Sequence, residues 1–140
     1  MQSKCIDDTW VLRFDPGEEI MHELTAFCAE QGIATAELRG IGAARRIRAG
    51  LFNTTSREYV DKTFEGEFEI TSLLGNITRK EGGIFAHVHI SFANEQLQLF
   101  GGHLFECEIS ATCEIVLRPL AASIERTGKA SIGLHTIDLD

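Results

Sequence analysis

Beyond Gly32 the chain offers no second helix. It carries short apolar runs rich in β-branched residues, broken by glycine or polar residues at strand-length intervals. That pattern confines it to a sheet-dominated fold, with strands predicted over 35–41, 47–53, 58–63, 67–76, 84–93, 96–104, 110–117 and 134–139. Ahead of them, Trp10-Val11-Leu12-Arg13-Phe14 reads as a first strand. Asp15-Pro16-Gly17-Glu18 then reads as a helix start, with Asp15 as N-cap, Pro16 at the first helical position and Glu18 closing a capping box. Ile20, Leu24, Phe27 and Cys28 recur at helical spacing, so the helix should run to about Gln31 and end on Gly32 as a left-handed cap. The expectation is an α+β fold, a mostly antiparallel sheet curled toward a barrel or sandwich, with one main helix. Strand edges need cover, and self-association supplies it economically.

A chain of 140 residues suits one domain over 1–140, burying roughly 70% of its unfolded surface. The amino-terminal residues Met1 to Asp8 lack the apolar core of a signal peptide, and no apolar run approaches membrane-spanning length. The default expectation is cytoplasmic, with no membrane partner. Cys5, Cys28, Cys107 and Cys113 match neither a zinc knuckle nor a Cys-x-x-Cys redox motif, and are expected as free, buried apolar residues. The net charge of −8 repels polyanions, which sets unaided DNA binding at a disadvantage.

Chemistry concentrates in Phe85-Ala86-His87-Val88-His89-Ile90 and Gly101-Gly102-His103-Leu104. On a strand, residues two apart share a face, so His87 and His89 project together while Ala86, Val88 and Ile90 point the other way. A three-residue loop at Asn94-Glu95-Gln96 would set Ala93 opposite Leu97 and therefore His103 opposite His87. A two-residue turn would place His103 on the wrong face unless a bulge at Gly101-Gly102 restored it. Three neutral imidazoles with an open fourth position suit zinc or another divalent transition metal. As ordinary strand residues, the same histidines would only make hydrogen bonds. His22 and His135 show no comparable pattern.

Glu69 and Glu114 interrupt apolar strands. On a solvated face they need no further role; facing the histidines, either could orient an imidazole, complete the coordination or act as a base. Asn76, beside Gly75, has a weaker claim of the same kind and an ordinary use in turn geometry.

Several stretches in order carry a resemblance: Phe14-Asp15-Pro16-Gly17-Glu18-Glu19, Gly40-Ile41-Gly42-Ala43, Gly66 to Asn76, His87-Val88-His89-Ile90-Ser91 and Gly101-Gly102-His103-Leu104. Together they resemble the PPC domain, named for its occurrence in plants and prokaryotes and often accompanied in plants by AT-hook DNA-binding segments. The resemblance implies a compact α+β subunit in a homotrimer and a metal site at His87, His89 and His103. It also brings the family's DNA-binding label. The AT-hook itself is missing, since Leu38-Arg39-Gly40-Ile41 lacks the second arginine. Arg39, Arg45, Arg46 and Arg48 form the nearest basic concentration, either a phosphate-binding patch or a solvated strand face. Gly40-Ile41-Gly42 is no dinucleotide fingerprint, because its third glycine position is Arg45 and no Rossmann-type helix follows.

These features favour a trimeric zinc-binding module with a pocket for a small anionic or carbonyl-bearing ligand. Were it an enzyme, the reaction would be metal-dependent hydrolysis or hydration. A DNA-associated regulator is the alternative, and a purely structural trimer tied by its histidines is the third.

Overall fold

The computed structural model describes residues 1–140. Its elements run β1 (Gln2–Ile6), β2 (Thr9–Phe14), α1 (Ile20–Glu30), β3 (Ala36–Asn53), β4 (Glu58–Lys80), β5 (Gly83–Ala93), β6 (Leu99–Pro119), β7 (Arg126–Lys129) and β8 (Leu134–Ile137). The first six strands form one antiparallel sheet in the order β1-β2-β6-β3-β4-β5, and β5 pairs back onto β6. Strands β6, β3, β4 and β5 therefore close a hydrogen-bonded ring, as the curled-sheet expectation requires. The closing β5–β6 seam is short, five residue pairs from Ala93↔Leu99 to His89↔His103. Strands β7 and β8 form a separate hairpin, joined to β4 by a bridge between Arg79 and Glu125.

Alternation along the strands turns Ile70, Leu73, Ile77, Val88, Ile90, Phe92, Leu104 and Ile115 into a buried core. Helix α1 adds Ile20, Leu24, Phe27 and Cys28 to the same cluster, so its predicted apolar face is the one that packs. Trp10 meets Phe27 edge-on at 5.0 Å between ring centroids, locking the helix against β2.

Several expectations need correction. The N-cap is Glu19, whose carboxylate accepts from the backbone N–H of Met21 and His22 and from Cys107 of β6. The Asp15–Glu18 box forms one turn earlier: Glu18 N donates to the Asp15 carbonyl, and Asp15 N donates to the Glu18 carboxylate. The tie to β6 outcompetes the expected cap, because a longer side chain reaches both the helix end and a neighbouring strand. Gly32 ends the helix as anticipated, at φ +67°. Strands expected as separate runs fuse: 35–41 with 47–53 into β3, 58–63 with 67–76 into β4, and 96–104 with 110–117 into β6. In β3, irregularities between Gly40 and Gly42 and between Ala44 and Arg46 absorb the apparent breaks as bulges within a continuous strand. Strands β1 and β7 carry too few apolar residues to be read as strands. Three cysteines are buried and free, with burial pushing the thiols of Cys28 and Cys113 up to about 12; Cys5 is exposed, because it lies on the edge strand β1. No helix is long and apolar enough to cross a membrane.

Candidate metal centre

His87 and His89 lie two apart on β5 and share a face; His103 arrives from β6 directly across from His89. The expected opposition of His103 to His87 is thus off by two residues, while the parity that decides the face holds. The cause is a five-residue connection. Asn94 Oδ1 accepts from the backbone of both Gln96 and Gln98, and Leu97 turns at φ +58°, which delays the start of β6 to Leu99. On the other side of β5, Asn76 pairs with His87. Gly75, next to it, allows that close ladder, since a Cβ there would collide with the His87 carbonyl.

The three imidazoles form a near-equilateral cluster with ring centroids 5.1, 5.2 and 5.5 Å apart, and one ring nitrogen from each lies within 4.8 Å of the others. Two nitrogens bound to one tetrahedral zinc at 2.0–2.1 Å stand about 3.4 Å apart. Small ring rotations therefore bring the set into bonding range. Burial lowers the pKa of His87 to about 4, with the Arg126 charge and then the other two histidines adding to the effect. The pKa of His103 is lowered by burial first, then by His89 and Arg126. Both rings are consequently neutral at pH 7, the form that donates a lone pair to a metal. Phe105 and Tyr59 flank His103 at 4.9 and 5.5 Å.

Two of the three imidazoles, those of His87 and His103, line a cleft of about 850 Å³ whose outer wall is the β7–β8 hairpin, while His89 is exposed outside that lining. Arg126 crosses from β7 into this cleft. Its Nε donates to Thr78 Oγ1 at 2.8 Å, and Nη2 donates to Asn76 Oδ1 at 2.8 Å while lying 3.2 Å from His87 Nδ1. The amide of Asn76 thereby holds Arg126 against the ring of its ladder partner. Sequence reading overlooks Arg126, since Ile124-Glu125-Arg126-Thr127 carries no motif and only the tertiary fold brings it to the histidines. It also overlooks Lys80, Phe85 and Phe105 in the cleft lining, where His135 is found as well.

The other candidates lie apart. Glu69 is exposed opposite Ala93, toward the far end of β5. Glu114 is exposed beside Ile41 and Arg13, on a surface it shares with Val11 and Leu74. Neither carboxylate lines the histidine cleft. Of the arginines, Arg45 pairs with Glu108, Arg46 with Glu106, and Arg48 with both Glu106 and Asp61 at 3.0 and 2.8 Å. The hydrogen bond from Arg46 is the main reason the Glu106 carboxyl is held below its usual range. Arg39 is exposed and makes no ion pair, so the basic concentration seen in the sequence is largely neutralised by strand β6.

Comparison with known families matches this arrangement to a model described as the Plants and Prokaryotes Conserved (PCC) domain, over residues 1–121. The chain belongs to that family. A PCC-domain chain of this kind is similar along nearly its whole length to the plant- and prokaryote-conserved protein of Pyrococcus horikoshii, at 34% identity and a TM-score of 0.87, with 98% of this chain and 93% of that one covered. It is similar to a protein of Bacteroides thetaiotaomicron that carries a provisional DNA-binding description, at 31% identity and a TM-score of 0.95, covering 98% and 96%. A third solved relative, from Archaeoglobus fulgidus, is described as a metal-containing protein; it shares 32% identity and a TM-score of 0.85 over 92% and 91% of the two chains. Comparison with curated proteins yields no match. The PCC match stops before β7, so the wall of the cleft and Arg126 lie outside the matched residues.

Proposed function

We propose that this PCC domain is a zinc-binding module in which His87, His89 and His103 hold the ion beside a small-ligand pocket. The observation that carries the reading is the convergence of three imidazoles from two paired strands, two of them kept neutral by their surroundings. The metal-containing description of the Archaeoglobus relative supports it. Bound zinc would supply Lewis-acid polarisation and a water of lowered pKa, the chemistry of hydrolysis or hydration. Asn76 would steady Arg126 next to the site, and the aromatic walls would limit bulk water. The working unit is one domain over 1–140, assembled as a cytoplasmic homotrimer. Exposed Val11, Ile41 and Leu74 gather on one sheet surface and favour self-association. Metal analysis of untagged protein tests the reading, with one zinc per chain expected for the wild type and none for the His87→Ala, His89→Ala double variant. Failure of the wild type to take up zinc would overturn it, and sedimentation at a mass other than three times 15.5 kDa would remove the trimer.

A DNA-associated role is the second reading, drawn from the description of the Bacteroides relative. The ion pairs of Arg45, Arg46 and Arg48 weigh against it, as does the net charge of −8. Phosphate-driven binding would have to survive both, and would weaken steeply with added salt.

A further inference from the structure

Arg126 is the only charged residue buried in this chain, with 8% of its surface exposed. Buried guanidinium groups are ordinarily paired, because an isolated charge away from water is costly. Arg126 makes no ion pair, although six other arginines do. All its partners are neutral: the Thr78 hydroxyl, the Asn76 amide oxygen, the His135 carbonyl and the His87 ring. These contacts fix the guanidinium in place and leave its charge uncompensated. They also leave one N–H of Nη1 free.

The surrounding cleft extends the same asymmetry. Thirteen residues line it, including Lys80, Arg126 and three histidines, and none is an aspartate or glutamate. In a chain of net charge −8, a cleft with two fixed cations and no carboxylate is a local reversal of sign that attracts anions. On the hairpin side, the exposed Glu81 reaches the His135 ring at 3.4 Å. The remaining walls are apolar or aromatic, with Phe85 beneath the guanidinium at 5.2 Å and Phe105, Leu134 and Ile137 around it. Inorganic anions gain nothing from such walls, whereas a carboxylate with a short apolar body uses both features.

We infer that the cleft between the histidine cluster and the β7–β8 hairpin is a binding site for a small organic carboxylate, with Arg126 as the residue that receives the carboxylate. The site deepens the zinc-module reading and rests on it for a second anchor, the ion at His87, His89 and His103. The cationic lining provides the first anchor without metal. Because Leu134, His135, Thr136 and Ile137 of the β7–β8 hairpin form the outer wall of the cleft, the hairpin is the element that sets which acid is accepted.

Calorimetric titration of benzoate and 2-methylpropanoate, each against its amide and against inorganic phosphate, tests this with zinc-loaded and metal-free protein. Saturable binding of the acids, at least tenfold tighter than the amides or phosphate, is the expected result. Arg126→Gln should abolish that preference while zinc stoichiometry stays at one per chain. As Arg126 is buried and its loss could unsettle the hairpin, Lys80→Ala provides a second readout at the rim, with affinity for the acids down about threefold and the melting temperature unchanged. Equal affinity for acid and amide, tighter binding of phosphate, or full retention of acid binding in Arg126→Gln would each overturn the inference. Acid binding to metal-free protein that takes up no zinc would uphold the carboxylate site and overturn the metal reading alone.

Discussion

His89 and His103 are cross-strand partners on β5 and β6, at the last rung of the seam that closes the sheet. Their opposition makes the cluster a property of strand register, so anything that moves one strand by a single residue disperses it.

Zinc uptake should therefore stabilise the fold as well as fill a site. At a free zinc concentration a hundredfold above Kd, linkage predicts a gain of about 2.7 kcal/mol. Denaturant titration with and without zinc measures it, and the gain should vanish in the His87→Ala, His89→Ala variant.

Metal-free protein should lose stability on acidification. The unfolded His87 takes up a proton near its ordinary 6.5, whereas the folded residue resists until about 4, so the unfolded state binds more protons throughout that window. Stability thus falls as pH drops from about 6.5 to about 4 and levels off below. His103, shifted in the same direction, adds to the trend. Replacing His87 with Gln should flatten the slope of melting temperature against pH.

Gly75→Ala should cost about 2–3 kcal/mol, in the range of backbone overpacking, because the new Cβ meets the His87 carbonyl. Strand β5 must yield, so zinc affinity should drop as well. Unchanged stability in a denaturation experiment would contradict this account of the β4–β5 approach.

Leu97 holds a left-handed conformation at φ +58° with 81% of its surface exposed. Such a backbone costs a non-glycine residue about 1–2 kcal/mol, offset in part by the roughly 0.5–1 kcal/mol of extra entropy that glycine loses on folding. Leu97→Gly should stabilise the protein by about 0.5 kcal/mol in urea unfolding and leave metal content unchanged.

Titration with DNA duplexes should show no difference between wild type and an Arg45→Ala, Arg46→Ala variant, since both side chains are already held by Glu108 and Glu106. A marked, salt-sensitive loss of binding in the variant would restore the nucleic-acid reading.

The legible part of the site was the part governed by period-two alternation. His87 and His89 share a face for any strand containing them, and His103 needed only the correct parity. Its exact partner depended on Asn94 and Leu97, whose loop geometry no alternation encodes. The helix was legible through Ile20, Leu24, Phe27 and Cys28, yet its cap was not, because Glu19 owes that position to Cys107 on a distant strand. In sequence Glu69 and Glu114 have a stronger claim than Asn76; the ladder reverses that order by pairing Asn76 with His87. Arg126 was invisible because its significance is the absence of a counter-ion, which exists only once the chain has folded around it.

Only five rungs join the two ends of the β-ring, and the histidines stand at one end of them. A cation gripped there works as a rivet across the weakest joint of a hoop, fastening what backbone bonding secures least. Amide exchange should accordingly slow most along Leu99 to His103 when metal enters, so that loading the ion and shutting the hoop become a single event.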